Sequence, residues 1–134
     1  MSEKKPRALE EEDRQKIFLV KDLLEEKKAE DIVIFDLRGL SSVTDTMIVA
    51  SGHSDRHVQA VSEFLVQEMK KHSYIPLGSE GLQSGRWALI DYGEIVVHVF
   101  YDEIRTHYDL EGVWRDAPVI YDERHKDCVL GVEE

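Results

Sequence analysis

The stretch WALIDYGEIVVHVF, residues 87–100, decides how the middle of this chain folds. Trp87–Asp91 and residues 95–100 are rich in the β-branched and aromatic side chains that strands favour. Tyr92 and Gly93 lie between them, and such a pair is typical of a tight turn. We therefore predict a β-hairpin with Tyr92 and Gly93 as its two loop residues.

The two faces of this hairpin differ in composition. A loop of Tyr92 and Gly93 would place Asp91 opposite Glu94 and Trp87 opposite His98, and directly opposed residues share a face. One face is then wholly apolar and belongs against helices: Ala88, Ile90, Ile95, Val97 and Val99. The other face is edged by Asp91 and Glu94 and contains Trp87, Leu89, Val96 and His98. Either another layer covers this second face, or it is exposed as a site for a basic protein surface.

Helices and further strands are predicted on both sides of the hairpin. Apolar residues at helical spacing predict two helices, one that begins near Glu10 and one that is capped by Ser54 or Asp55. Short runs at 32–37 and 46–50 predict buried strands, 74–77 predicts a short strand, and Asp102–Tyr108 predicts a short helix. This mixture predicts an α/β fold, a mixed β-sheet packed by helices.

Length and composition indicate one domain. The chain has 134 residues, 42% of them apolar, and we place the domain at residues 10–117. Residues 1–9 are predicted to be a mobile leader, and residues 118–134 an acidic, loosely ordered tail. The first sixteen residues lack the apolar core of a signal peptide, and Cys128 is the single cysteine. We therefore expect a cytoplasmic protein.

The charge of the chain bears on its partners. It carries 28 acidic and 17 basic residues, a net charge of -11, with thirteen acids against five bases in residues 73–134. Proteins bind nucleic acid mainly by neutralising phosphates with Lys and Arg. This balance argues against extensive contact with RNA or DNA and favours a basic protein as partner. The alternative is that the acidic surface only keeps the protein soluble.

Motifs for catalysis or metal binding are weak. The run at residues 51–54 lacks the glycines and lysine of a phosphate loop, and helix capping explains Ser54. His53 and His57 are four residues apart, but no third zinc ligand accompanies them. No nucleophile-elbow sequence is present. We predict no catalytic residue, no metal site and no cofactor.

Several blocks of sequence nevertheless follow one another in a distinctive order. They are DTMIVASGHSDR at 45–56, Glu80-Gly81, Gly85-Arg86-Trp87, LIDYG at 89–93, VHVF at 97–100, and YDLE at 108–111 followed by Trp114. Together these blocks resemble the ribosomal silencing factor family, also called Iojap-like. The resemblance covers residues 17–117 and is more specific than any single motif.

The resemblance implies a nucleotidyltransferase-like α/β fold without the transferase chemistry, and a role that is not enzymatic. Members of the family bind protein fourteen of the large ribosomal subunit, on the face where the small subunit docks. Binding therefore blocks subunit joining sterically and represses translation when nutrients are short. Members are also homodimers when free. The partner-binding residues that the family implies in this chain are Trp87, Leu89, Asp91, Tyr92 and His98.

Two other functions remain open from the residues. A nucleotidyltransferase-like enzyme that uses Mg²⁺ and a nucleoside triphosphate needs two or three carboxylates, normally an acid-x-acid pair after a Gly-Ser turn. Here Asp55-Arg56-His57 lacks the second acid, so that only Asp45 and Asp55 remain as candidates. The third possibility is a dimerisation module with no ribosomal partner.

Overall fold

A six-stranded mixed sheet forms the centre of the computed structural model, which describes residues 10–124. The elements in chain order are α1 (Glu11–Glu26), β1 (Glu30–Asp36), β2 (Thr46–Gly52), α2 (Asp55–Lys71), β3 (Gly78–Glu80), β4 (Trp87–Asp91), β5 (Ile95–Tyr101), α3 (Asp102–Tyr108), α4 (Leu110–Val113) and β6 (Val119–Asp122). The strand order is β3-β4-β5-β2-β1-β6. β2 and β5 run parallel, and the other paired strands are antiparallel. The prediction of a mixed sheet packed by helices is confirmed.

Helices α1 and α2 pack on one face of the sheet, which we call the helical face. Their apolar stripes lie against alternate strand residues, because successive side chains of a strand point to opposite faces. The resulting core contains Ile17, Val20 and Leu24 of α1, Val58, Val61, Leu65 and Met69 of α2, and Ile34, Ile48, Ala88, Ile90, Val97 and Val99 of the strands. The predicted cap of α2 is confirmed, since Ser54 Oγ accepts the His57 N–H at 3.0 Å.

The opposite, outer face of the sheet is covered only in part. Helices α3 and α4 place Ile104, Leu110 and Trp114 against a second, smaller core. That core consists of Val33, Phe35, Leu37, Met47, Val49, Phe100 and Ala117. Trp87 and Leu89 of β4 remain half-buried on this face. The outer face therefore has both a covered part and an accessible part.

The register of the hairpin differs from the predicted one by two residues. Trp87 pairs with Phe100 and Asp91 with Val96, where the predicted partner of Asp91 was Glu94. The turn residues are Gly93 and Glu94, because Tyr92 N–H donates to the Ile95 carbonyl at 2.8 Å and Gly93 adopts a φ of +91°. A shift of two residues keeps every side chain on its face, so the predicted division into two faces holds.

Two strands lie outside their predicted positions. The strand expected at 74–77 is found at Gly78–Glu80, since Pro76 has no N–H to donate to a ladder. The chain after Pro118 was expected to be loosely ordered, but Val119–Asp122 forms strand β6 beside β1 and buries Ile120. The predicted leader at 1–9 and the rest of the tail at 125–134 lie outside the described residues. Within residues 10–124, no helix is long and apolar enough to span a membrane.

Candidate functional site

The accessible part of the outer face is an aromatic surface that we call the docking patch. Its accessible side chains are Trp87, Leu89 and Asp91 of β4, Val96 of β5 and Tyr108 of α3, and the buried rings of His98 and Phe100 of β5 lie beneath them. The strand residues share a face because they alternate along two paired strands. All patch residues except Tyr108 lie on paired sheet strands, which hold those side chains in a fixed arrangement.

Trp87 lies at the centre of the docking patch. Its ring centroid is 5.0 Å from that of Phe100 and 4.5 Å from that of Tyr108. Its indole Nε1–H donates to His98 Nδ1 at 3.0 Å. Trp87 is half-buried, and no helix covers it completely. Because the polar atom of the indole is already bonded within the chain, the accessible part of the side chain is apolar ring surface.

His98 is neutral in this arrangement. It is 8% exposed, and burial lowers the pKa of its imidazole from 6.5 to about 4. Since Nδ1 accepts the indole N–H, the imidazole proton is on Nε2. A neutral His98 adds no positive charge that would oppose a basic partner.

Carboxylates lie at the edge of the docking patch, but they are not the predicted pair. Asp91 is half-buried beside Gly93, whose N–H donates to Asp91 Oδ1 at 2.8 Å. Glu80 of β3 is exposed and pairs with Leu89. Glu94, which we predicted at this edge, instead forms an ion pair with Lys16 of α1 at 2.8 Å, and that hydrogen bond lowers the pKa of Glu94. The acidic edge is therefore formed by Asp91 and Glu80.

Tyr92 is the predicted site residue that the structure does not bring to the patch. The chain alternation after Ala88 and Ile90 directs it to the helical face, where it is 6% exposed. Burial raises the pKa of its hydroxyl to about 12, and that hydroxyl has no hydrogen-bond partner among residues 10–124. Tyr92 is therefore separated from the other four predicted contact residues, because its ring belongs to the core between the sheet and α1 and α2.

Two glycines hold the loop that leads into Trp87. Gly81 and Gly85 have φ values of +78° and +72°, which L side chains rarely adopt. A methyl group at Gly81 would overlap the carbonyl oxygen of Trp87, and one at Gly85 would overlap the carbonyl of Asp55. The Glu80-Gly81 and Gly85-Arg86-Trp87 blocks thus have a structural reason, since they allow the loop to close against β4 and α2.

Phe100 and Tyr108 are members of the patch that the sequence analysis missed. Phe100 follows from the same alternation that places His98, and the observed register pairs it with Trp87. Tyr108 is 46% exposed, and its ring lies 6.1 Å from that of Phe100. No sequence signal places α3 over the end of the sheet, so the contact of Tyr108 with Trp87 was not predictable.

The carboxylates of the transferase alternative do not converge. Asp45 precedes β2 and Asp55 follows it, so the seven residues of Thr46–Gly52 separate them, a span of roughly 20 Å at about 3.3 Å per residue. Two carboxylates that share Mg²⁺ pairs must lie within a few ångströms of each other. Asp45 and Asp55 cannot form that site.

The two histidines near α2 are part of the structural framework. His57 Nδ1 accepts the N–H of His53 at 3.0 Å, and His57 Nε2 lies 2.8 Å from the carbonyl oxygen of Lys27. The rings of His53 and His57 stack at 4.1 Å. Both nitrogens of His57 are thereby used to join the loop after β2 to the end of α1.

Comparison with known proteins identifies the family. The family model described as "Ribosomal silencing factor during starvation" matches residues 10–131. The ribosomal silencing factor of Bacillus subtilis is 38% identical over 95 residues, which are 71% of this chain and 80% of that protein. A mouse protein named "Mitochondrial assembly of ribosomal large subunit protein 1" is 30% identical over 125 residues, 84% of this chain and 54% of that protein.

A solved structure is also similar. The crystal structure of a Chromobacterium violaceum protein superposes with a TM-score of 0.74 at 37% identity, covering 76% of this chain and 85% of that one. Residues 10–131, which the family model matches, contain every helix and strand described above. This chain therefore belongs to the ribosomal silencing factor family.

Proposed function

We propose that this protein binds the large ribosomal subunit through its protein fourteen and sterically blocks association with the small subunit, which represses translation. The proposal rests on family membership and on one observation above all. The sheet leaves Trp87 half-buried and Tyr108 46% exposed on the outer face, above the buried rings of His98 and Phe100, so that an apolar surface is available to a partner. Accessible aromatic clusters of this kind are typical centres of protein interfaces.

The charges around the patch favour a basic partner. Asp91 and Glu80 lie at its edge, and the chain as a whole carries a net charge of -11. Apolar contact at the centre supplies affinity, whereas carboxylates at the edge orient the partner and speed the encounter. A basic ribosomal protein fits this combination better than exposed ribosomal RNA, whose phosphates the acidic edge would repel.

The mechanism requires no bond to be made or broken. A domain of this size that occupies the contact surface of the large subunit excludes the small subunit by volume alone. We therefore propose a regulatory protein of the cytoplasm that is not an enzyme. The separation of Asp45 from Asp55 counts against the transferase alternative.

We also propose that the free protein is a homodimer that covers the docking patch. An apolar surface that is accessible in the monomer is stabilised when a second copy covers it. A dimer formed in this way must dissociate before the large subunit is bound. Sedimentation equilibrium should then show dimers of the parent chain and monomers of a variant whose patch carries a new charge.

Subunit joining tests the proposed function. Purified large subunits are incubated with the chain, small subunits are added, and joined ribosomes are measured by light scattering and in sucrose gradients. The chain should sediment with large subunits and reduce joining in proportion to its occupancy. Binding without any reduction in joining would contradict the steric mechanism, and failure to bind large subunits would contradict the proposal as a whole.

A matched pair of variants connects this activity to the patch. Leu89→Asp places a new carboxylate inside the docking patch, and Val43→Asp places the same carboxylate in the loop between β1 and β2, where Val43 is 81% exposed. Leu89→Asp should abolish the block of joining, whereas Val43→Asp should retain it. Equal effects of the two variants would show that the patch has no special part in binding.

A further inference from the structure

The segment that contains α3 and α4, residues 102–113, carries Tyr108 to the docking patch. The two helices have seven and four residues, too few for either to be stable without contacts to the rest of the fold. Tyr108 lies on the last turn of α3 and reaches Trp87 from there. The position of Tyr108 therefore depends on what attaches this segment to the sheet.

Arg105 makes that attachment. Its side chain is buried, and Nη1 donates to Ser51 Oγ of β2 at 2.7 Å. Nε and Nη2 donate to the two carboxylate oxygens of Glu111 in α4, at 3.2 and 2.9 Å. One guanidinium thus joins β2, α3 and α4. Glu111 also accepts a hydrogen bond from Arg124 Nη1 at 2.8 Å, which links the segment to the chain after β6.

The geometry of these bonds is specific to arginine. Two parallel N–H groups fit a carboxylate, while a third N–H of the same planar group points to the serine. A lysine ammonium keeps the charge but cannot make the paired contact with Glu111 and reach Ser51 from one position. Tyr108 follows Arg105 by three residues, about one helical turn, so the attachment of Arg105 fixes the part of α3 from which Tyr108 projects.

The corner between the two helices leaves the segment little freedom. Asp109 adopts a left-handed conformation with a φ of +48°, and its carboxylate accepts the N–H of Gly112 at 3.1 Å. The backbone N–H of Asp109 donates to the carbonyl of Arg105 at 2.9 Å. A displacement of Arg105 would thus be transmitted through the corner to both helices.

We propose that Arg105 is a positioning residue for ribosome binding, which acts by holding Tyr108 against Trp87. The inference rests on the proposed function, because it concerns the same docking patch. Arg105 itself is buried at the end of β2 and does not contact the partner. Its effect on binding passes through Tyr108.

The first experiment uses the free chain and needs no ribosome. Hydrogen exchange of the backbone amides is compared in the parent, in Arg105→Lys and in Arg56→Lys, which makes the same change at an exposed position of α2. Because hydrogen bonds to a charged group are lost, amides of residues 102–113 should exchange roughly tenfold faster in Arg105→Lys. Amides of β4 and β5 should be unaffected, and Arg56→Lys should match the parent. Unchanged exchange of residues 102–113 would overturn the inference.

The second experiment measures coupling between Arg105 and Tyr108. Affinity for large subunits is determined for the parent, Arg105→Lys, Tyr108→Ala and the double variant. Each single change should weaken binding at least roughly fivefold. The double variant should bind as tightly as the single variant that has the lower affinity. A role of Arg105 in stability alone would give additive effects, since it would weaken binding whether or not Tyr108 is present. Additive effects would overturn the inference.

Two provisions keep these outcomes distinct. Glu111→Gln removes the charge from the other end of the same contact and replaces Arg105→Lys in both experiments if that variant does not fold. The affinity of the parent is measured first, so absence of parent binding overturns the proposed function. Parent binding together with additive variants overturns only the role of Arg105.

Discussion

Truncation of Trp87 tests the docking patch at its centre. In Trp87→Ala the indole surface is lost, together with the stacking on Phe100 and Tyr108 and the hydrogen bond to His98. The loss should weaken binding to the large subunit far more than a change elsewhere on the surface. The fold should survive, because the core against α1 and α2 does not include Trp87.

The expected magnitude follows from the exposed part of the side chain. A tryptophan side chain can bury roughly 150–250 Å², and if about a third of that remains accessible on half-buried Trp87, its burial by a partner contributes about 1.5 kcal/mol. Truncation also removes the support of Tyr108 and leaves a gap in the interface, which brings the total to about 2–4 kcal/mol. Binding should therefore weaken at least roughly thirtyfold.

The measurement is a titration of large subunits with the parent, Trp87→Ala and Trp87→Phe. The phenylalanine variant keeps an aromatic ring but loses the N–H that His98 accepts, so its affinity should lie between the other two. Thermal unfolding of each variant separates weak binding from poor folding. A folded Trp87→Ala that binds within about threefold of the parent would refute the assignment of the site.

Four further perturbations address the charge, the buried histidine, the glycine loop and the transferase alternative. Asp91→Lys should slow association with large subunits roughly tenfold at low salt and by less at high salt. Glu26→Lys, which makes the same change on α1, should leave the association rate unchanged. Equal association rates of the two variants would contradict electrostatic guidance by the patch. The pKa of His98 is about 4 in the fold and 6.5 in the unfolded chain, so the unfolded chain binds the proton first as the pH falls. Between pH 6.5 and 4 the free energy of unfolding of the parent should therefore fall by about 3 kcal/mol more than that of His98→Gln. Parallel curves of unfolding free energy against pH would contradict a buried neutral imidazole. Gly85→Ala should lower the free energy of unfolding by at least about 1 kcal/mol, because Gly85 has a φ of +72° and the added methyl group would overlap the carbonyl of Asp55. An unchanged denaturation midpoint would contradict this reasoning. Asp55→Ala should leave large-subunit binding unchanged, whereas Mg²⁺-dependent consumption of a nucleoside triphosphate that this variant abolishes would support the transferase alternative instead.

The parts of the site that the sequence could predict are those that depend on alternation along a strand. A register shift by an even number of residues leaves every side chain on its face. The predicted face of Trp87, Leu89, Asp91 and His98 was therefore correct although the turn was misplaced. The turn itself was misplaced because Tyr92 and Gly93 satisfied the local pattern as well as Gly93 and Glu94 did. In the fold Glu94 has partners distant in sequence, since its carboxylate pairs with Lys16, 78 residues away, and its carbonyl accepts the N–H groups of Asp45 and Thr46.

Features that depend on contacts distant in sequence were not predictable. Strand β6 forms because β1 offers an edge at which Tyr121 can pair with Ile34, although a short run after Pro118 carries little signal of its own. Tyr108 contacts Trp87 because Arg105 binds Ser51 and Glu111. A buried arginine of this kind cannot be distinguished in the sequence from a surface one.

Protection of the docking patch in the bound state tests the central claim most directly. Hydroxyl-radical oxidation of side chains is measured in the free chain, diluted until it is monomeric, and in its complex with purified large subunits. We predict that Trp87 and Tyr108 become protected, whereas Ile75, which is 59% exposed in the loop between α2 and β3, is oxidised equally in both states. Unchanged oxidation of Trp87 in a complex that protects another surface would contradict it.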